Sequence, residues 1–315
     1  MKKHRLQIYI LCRDRPIYFR QSLDSVLFSS NGIADVIISD NSETDVIQEL
    51  VAVNYPDIEY IRRNPPTDAF EHFRVILKES SAEFIVLFHD DDIMMPSYAK
   101  TMIETLDNNM KVAAVGCNAL LLRGDNKTDE STLVEVDKPK LFYNQKEFIQ
   151  KHISIWQNGF APFPGYMYRR EFTEGLYLNK AQGGKYSDIS FLTNIIPHGA
   201  IIWLPEHLMW YRIHEANDFK TPSTGDRLSL LRYALTIDGI DCTSWVVREF
   251  RVSIWAYWWR QRSGNHRFYF PKSWREQVVF KFLLVTRVRD LICKSNYRKM
   301  LLKKYSELLL KIITR

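Results

Sequence analysis

Along the first 95 residues, short apolar runs alternate with amphipathic segments, and each apolar run ends in a polar cluster. Gln7 to Leu11 reads as a buried strand, short, β-branched and aromatic, bounded by charge. "IYFRQSLDSVLFSS" sets Phe19, Leu23, Val26 and Leu27 on one helical face, with Pro16 near the start, where proline is tolerated. Val36 to Ile38 forms a second strand closed by Asp40 and a polar turn, Val46 to Val53 is helical, and "IEYIRRN" is a third strand. "AFEHFRVILKES" is an amphipathic helix and "EFIVLF" the next strand. This alternation predicts right-handed βαβ units and a mostly parallel sheet flanked by helices.

Further on, Pro96 to Asn108 reads as a helix and "KVAAVGCNALLL" as a strand, with "GDNKTDES" an exposed loop. "KEFIQKHIS" is helical, and "APFPGYMYRREFTEGL" is turn-rich around a central strand. "SDISFLTNIIPHG" is a helix stopped by Pro197, and "AIIWLPEHLMWYRIH" reads as a strand pair. From about Asp226 the helical period dominates. The expected division is an α/β domain over 1–225 and a helical extension over 226–315.

In open sheets of this type, ligands bind where strands end at their carboxyl edge. Arg13–Asp14, Asp40–Asn41, Arg62–Asn64 and Asp90–Asp92 all stand at such ends. "FIVLFHDDDIMMP" is the most pointed of them. Three adjacent carboxylates raise one another's pKa unless a cation binds, and Mg²⁺ or Mn²⁺ favours carboxylate oxygens shared with a substrate phosphate. The expectation is a cation that arrives with its substrate, so that the empty site is the less stable one. A solvated, helix-capping loop is the competing reading.

Composition narrows the classes. The chain has 315 residues, 46% hydrophobic and 25% charged, which is ordinary for a globular protein. Cys12, Cys117, Cys242 and Cys293 show no CxxC spacing, which argues against a disulfide framework or zinc site and for a reducing compartment. The N-terminal apolar run of about six residues is shorter than a signal peptide's core of roughly 7–15. No segment reaches the ~18 apolar residues of a membrane span. The expected location is the cytoplasm. The net charge of +6 hides an asymmetry: residues 241–315 carry 17 Lys and Arg against 5 Asp and Glu, whereas the first 240 carry 26 against 32. The tail interleaves basic residues with Trp and Leu at helical spacing. This suits a peripheral contact with the inner face of the membrane, or a basic face packed on the main domain. Nucleic acid is excluded as a partner, because the acidic first region repels a polyanion.

"FHDDDIMMP" resembles the DXD segment of GT-A fold glycosyltransferases, specifically the family 2 group of inverting bacterial enzymes. "QIYILCRDRPIYFRQSLDSVL" is similar to that family's opening strand, turn and helix, and "DVIISDNSETD" to its second-strand motif. "FPGYMYRREF", "GGKYSDISF" and "LMWYRIHEAND" resemble its acceptor-side motifs. The ordered set spans roughly Leu6 to Asp218. The resemblance implies a GT-A catalytic domain whose Asp40 binds a nucleobase, with Leu11, Arg13 and Arg62 around the nucleotide. It implies Asp90 on the ribose or diphosphate, Asp92 on a Mn²⁺ or Mg²⁺ ion, and His214 beside the metal. Asp188 matches the general base, Arg212 accompanies the diphosphate, and Gly165 and Tyr166 lie on the acceptor side. Asp91 receives no role, and His89 is read as strand-end packing. Arg13 stands where an aromatic residue is common, Leu11–Cys12 replaces a proline–threonine pair, and Asn41 and Glu43 depart from the second motif. Asp188 also suits a helix cap, His214 a structural histidine, and Asp40 a turn.

The implied activity is metal-dependent, inverting transfer of a sugar from a nucleotide-diphosphate donor to a hydroxyl of a glycan or lipid-linked glycan. Bacterial surface polysaccharide, O-antigen or capsule, is the implied setting. The alternatives are a nucleotidyltransferase, for which "CRDRPIYF" lacks the glycine-rich phosphate loop, and a catalytically inactive membrane-bound scaffold.

Overall fold

The computed structural model describes residues 4–123, 131–154, 159–160, 163–214, 222–251 and 253–254. Residues Met1–Arg251 form one compact unit, and Val252–Arg315 a second that lies almost wholly outside the described residues. The basic, aromatic-rich tail expected over 226–315 is therefore largely outside the described residues from 255 onward.

The first half follows the periodicity closely. β1 (Leu6–Cys12), α1 (Pro16–Ser29), β2 (Ala34–Asp40), α2 (Val46–Asn54), β3 (Glu59–Arg62), α3 (Ala69–Glu79) and β4 (Phe84–His89) alternate in order. β1 is buried along its whole length because both faces are covered: Leu6, Ile8, Ile10 and Cys12 enter one apolar cluster, Tyr9 and Leu11 the other. β4 divides likewise, with Phe84, Val86 and Phe88 on one side and Ile85 and Leu87 on the other. α1 starts with Pro16 in its first turn and buries Phe19, Leu23 and Val26.

The second half contains β5 (Ile93–Met94), α4 (Tyr98–Asp107), β6 (Val112–Arg123), β7 (Lys140–Phe142), α5 (Gln145–Ile153), β8 (Tyr166–Arg169), α6 (Ser187–Ile195), β9 (Ala200–Ile213) and α7 (Thr224–Ala234). The sheet order is β3-β2-β1-β4-β8-β6-β9-β5, with β7 paired to β9. β1 to β4, β6 and β9 run one way, and β5, β7 and β8 run against them. The strand pair expected over 200–213 is instead one strand, β9, parallel to β6 throughout. Leu204 pairs Cys117 and His207 pairs Asn118, so Pro205 and Glu206 bulge out between them. A proline has no N–H to give the ladder, and a bulge absorbs it without reversing the chain.

Candidate active site

Register gathers the loops. Cys12 lies opposite Asp40, Asp40 opposite Arg62, and Leu11 opposite His89, so four strand ends finish level at one edge of the sheet. The loop after β1 is stapled to its neighbours. Arg13 donates its backbone N–H to Asp90 Oδ2 at 2.9 Å, and Asp14 donates its own to Ser42 Oγ at 2.8 Å. The Asp14 carboxylate accepts the N–H groups of Glu43 and Thr44 at 3.0 and 3.1 Å. Asp14 has φ of 50°, a left-handed conformation that a short acidic side chain tolerates.

Two strand ends carry fully buried aspartates with opposite fates. Asp40, at the end of β2, accepts from the Ser42 N–H at 2.9 Å with Oδ1, and from Tyr60 Oη and Arg62 Nη1, each at 2.6 Å, with Oδ2. Both oxygens are in use. Asp92, after β4, accepts the Arg212 N–H at 2.9 Å with Oδ1, and its buried Oδ2 has no partner among the described residues. Burial, with the charge of Asp91 next, pushes the Asp92 carboxyl well above the usual carboxylate range.

Asp90 and Asp91 are not bare either. The Arg15 guanidinium spans them: Nη2 donates to Asp90 Oδ1, Nε reaches Asp90 Oδ2 at 3.3 Å, and Nη1 donates to Asp91 Oδ2 at 2.7 Å. Burial still lifts Asp90 to about 7 against that cation. For Asp91 burial is again the largest influence, but His89, Arg15 and His214 together outweigh it and hold its pKa below the ordinary value. The repulsion expected of three adjacent carboxylates is thus offset by the protein's own cations at Asp91, and not at Asp90 or Asp92. A nitrogen of His89 and one oxygen each of Asp91 and Asp92 lie within 4.8 Å of one another, a spacing that one metal ion bridges. The orphaned Asp92 oxygen and this mixed carboxylate–imidazole donor set fit a divalent ion.

β9 closes the site from the far side. Arg212, buried, donates Nε to the Asp91 carbonyl at 2.7 Å and Nη2 to Gln21 Oε1 at 2.6 Å, and lies 4.6 Å above the Tyr18 ring. His214 Nε2 is 3.0 Å from Asp91 Oδ2, with its ring 4.9 Å from that of Tyr18. Tyr18, Ser22 and Ser25 recur at helical spacing on α1, just after its N-cap residue Arg15. Ser22 Oγ donates to the His89 carbonyl and Ser25 Oγ accepts the Met94 N–H, each at 2.9 Å. One helix face therefore splints the whole aspartate turn.

Asp188 opens α6. Its carboxylate accepts the Ile189 N–H at 2.9 Å, and burial raises it to about 6 although part of its surface stays open to solvent. Gly183 and Gly184, both at positive φ, turn the chain into that helix. A Cβ at Gly184 would strike the Asp226 carboxylate, which itself accepts the Lys185 N–H at 3.1 Å and closes the capping box of α7 with Ser223. Burial raises the pKa of Tyr211 on β9, and the charges of Asp92, Asp91 and Asp188 add to it in that order.

Of the residues expected at the site, Asp90, Asp92, Arg212 and His214 come together, and Asp188 stands apart at the start of α6, bonded to the Ile189 N–H. Leu11 forms the floor, its carbonyl accepting the Asp90 N–H at 3.2 Å. Arg13 is exposed and pairs with Glu43 at 2.6 Å, while Arg62 is committed to Asp40. Gly165 and Tyr166 face inward. Gly165 packs against Met209 and Cys117, and the buried Tyr166 hydroxyl donates to the Phe160 carbonyl at 2.5 Å. His89, Asp91 and Arg15 are the participants that the sequence reading passed over. Their adjacency follows from the turn after β4 and the start of α1, which no periodicity reports.

These features define a glycosyltransferase of GT-A architecture. Residues 8–176, just over half of the chain, match the family model described as glycosyl transferase family 2, and the chain belongs to that family. It is 23% identical over 247 residues to an uncharacterized glycosyltransferase, alr2836, of Nostoc sp. (strain PCC 7120 / SAG 25.82 / UTEX 2576), covering 75% of this chain and 72% of that one. Among solved structures it resembles S. aureus TarS 1–349 in complex with UDP-GlcNAc, with TM-score 0.54, 12% identity, and coverage of 82% of this chain and 72% of that one. The mannosyltransferase PcManGT from Pyrobaculum calidifontis, in complex with GDP-Man and Mn²⁺, gives TM-score 0.53 at 12% identity over 95% of this chain and 83% of that one.

Proposed function

We propose that this glycosyltransferase is inverting and metal-dependent, and moves a sugar from a nucleotide-diphosphate donor to an acceptor hydroxyl. The observation that carries the reading is the group after β4: His89, Asp91 and Asp92 within 4.8 Å of one another, with a buried Asp92 oxygen that has no partner among the described residues. UDP-GlcNAc and GDP-Man in the structural relatives support a nucleotide-sugar donor.

Asp188, ionised above about pH 6, takes the proton of the acceptor hydroxyl. The freed oxygen attacks the anomeric carbon from the face opposite the diphosphate. The bond to the leaving phosphate breaks with its electron pair on that phosphate, and the sugar configuration inverts. His89, Asp91 and Asp92 would hold a divalent ion, which when bound supplies Lewis-acid neutralisation of the departing diphosphate. His214 orients Asp91, and Arg212 fixes the backbone of the aspartate turn.

A lipid-linked glycan acceptor and surface polysaccharide synthesis rest on the family resemblance, and the peripheral membrane contact on the basic, aromatic-rich pattern of 241–315. Among the described residues no helix is long and apolar enough to cross a membrane. Co-sedimentation of the full chain with anionic liposomes, lost on deleting 241–315, supports a peripheral membrane role, and unchanged sedimentation removes it.

The test of the main reading is a melting-temperature screen of UDP-, GDP-, dTDP- and CMP-linked sugars with and without Mn²⁺. A ligand that binds the folded chain raises the midpoint by mass action. One donor class raises it with metal present; no shift from any donor defeats the proposal.

A further inference from the structure

The aspartate turn already has a cation, and the chain supplies it. Arg15 donates to both oxygens of Asp90 and to one of Asp91. Its backbone is held from both sides, by the Asp14 staple before it and by Pro16 after it. The side chain is less constrained. It is 30% exposed and lines an open cleft of about 250 Å³ with Pro16, Ile17 and Tyr18, which gives the guanidinium room to turn away from the carboxylates.

A divalent ion approaching His89, Asp91 and Asp92 therefore meets a fixed positive charge already bound to one of its ligands. Like charges at such range repel strongly in a partly buried setting. A nucleoside diphosphate reverses the balance, because phosphate oxygens accept the guanidinium fork at least as well as a carboxylate does.

We propose that Arg15 is the resident counter-cation that keeps the aspartate turn from holding a divalent metal alone, and that the donor's diphosphate draws it off so that metal and nucleotide bind together. This rests on the metal-dependent reading above. Arg15 is a positioning residue for the metal ligands, and it makes their availability conditional on substrate.

Mn²⁺ binding to the full chain, followed by calorimetry and by the electron paramagnetic resonance signal of free Mn²⁺, tests it. Wild type, Arg15→Gln, Arg15→Lys and Asp92→Asn are compared with Mn²⁺ alone and after adding UDP or GDP. Without nucleotide, R15Q binds Mn²⁺ at least about tenfold more tightly than wild type, and R15K falls between them. UDP or GDP tightens Mn²⁺ binding in wild type by a larger factor than in R15Q. Equal or weaker nucleotide-free binding in R15Q, or equal tightening by nucleotide in both, overturns the role of Arg15. So does a wild type on which neither nucleotide alters Mn²⁺ binding. Mn²⁺ binding that survives D92N unchanged overturns the metal reading itself, which separates the two failures. R15K retains the charge and the fold should R15Q unfold, and equal Mn²⁺ affinity in R15K and wild type also counts against the fork geometry.

Discussion

Two strand ends in this molecule present a fully buried aspartate at the same edge of the same sheet, and they are built to different ends. At the end of β2, Asp40 has both oxygens engaged by Ser42, Tyr60 and Arg62. After β4, Asp92 has one oxygen held by Arg212 and the other left open. Burying a carboxylate is costly unless it is paired. The closed site has met that cost with protein groups. The open one has not among the described residues, which is why the proposed metal is placed there. A strand-end aspartate is thus a marker of place, and only its partners separate support from chemistry.

Asp188 offers the largest way to break the comparison, as the second open carboxylate. Asp188→Asn keeps an oxygen for the Ile189 N–H but cannot take a proton, so sugar transfer falls by roughly 10²–10⁴-fold. The wild-type rate declines as pH drops through about 6, where the base becomes protonated. Stability runs the other way. A folded pKa above the ordinary value means that the folded state binds more protons, so stability rises as pH falls from about 6 towards the unfolded value. D188N consequently melts higher than wild type at pH 8, by something on the order of 1–3 kcal/mol. A pH profile with no limb near 6, or a variant that keeps full activity, contradicts the base.

Next in size is the closed site. Asp40→Asn strips Arg62 and Tyr60 of a charged partner and costs about 2–4 kcal/mol in urea unfolding, below the ~3–5 kcal/mol of a fully buried pair because Arg62 keeps 21% exposure. The matching change in the open site, Asp92→Asn, leaves stability unchanged or raises it at neutral pH, because it removes a buried, half-partnered charge and keeps an oxygen for the Arg212 N–H. Equal losses in the two variants would erase the distinction. The smallest effect belongs to the surface pair of Arg13 with Glu43, where Glu43→Gln shifts stability by about 0.5 kcal/mol or less.

Much of the architecture was legible because its cause is local. Strands such as Leu6–Cys12 and Phe84–His89 are continuous apolar runs, and α1 shows its buried face in the spacing of Phe19, Leu23 and Val26. The two- and three-residue strands β5 and β7 have no such signature, since they exist only through pairing with β9. The stretch over 200–213 reads as a strand pair because a sequence cannot tell the bulge at Pro205 and Glu206 from a turn. At the site, the polar strand ends could be found from their position, and so could the ordered motifs. The division of labour among them could not. Asp91 and His89 join Asp92 only through the turn after β4, and Arg15 reaches them from another loop some 75 residues away in sequence. Tyr166 illustrates the converse: a motif residue whose side chain the close approach of Gly116 seats in the core.

The most direct measurement is calorimetric binding of UDP and GDP, with Mn²⁺ present, to wild type and to D92N. The account predicts that one nucleotide binds wild type and that D92N weakens it at least about tenfold, the scale of losing one charge-assisted metal contact. D92N is also expected to melt at or slightly above the wild-type temperature at neutral pH, since the substitution removes a buried charge. Equal nucleotide affinity in the two proteins, with Mn²⁺ present, would contradict the claim that the open carboxylate after β4 is where the donor's diphosphate and its metal are held.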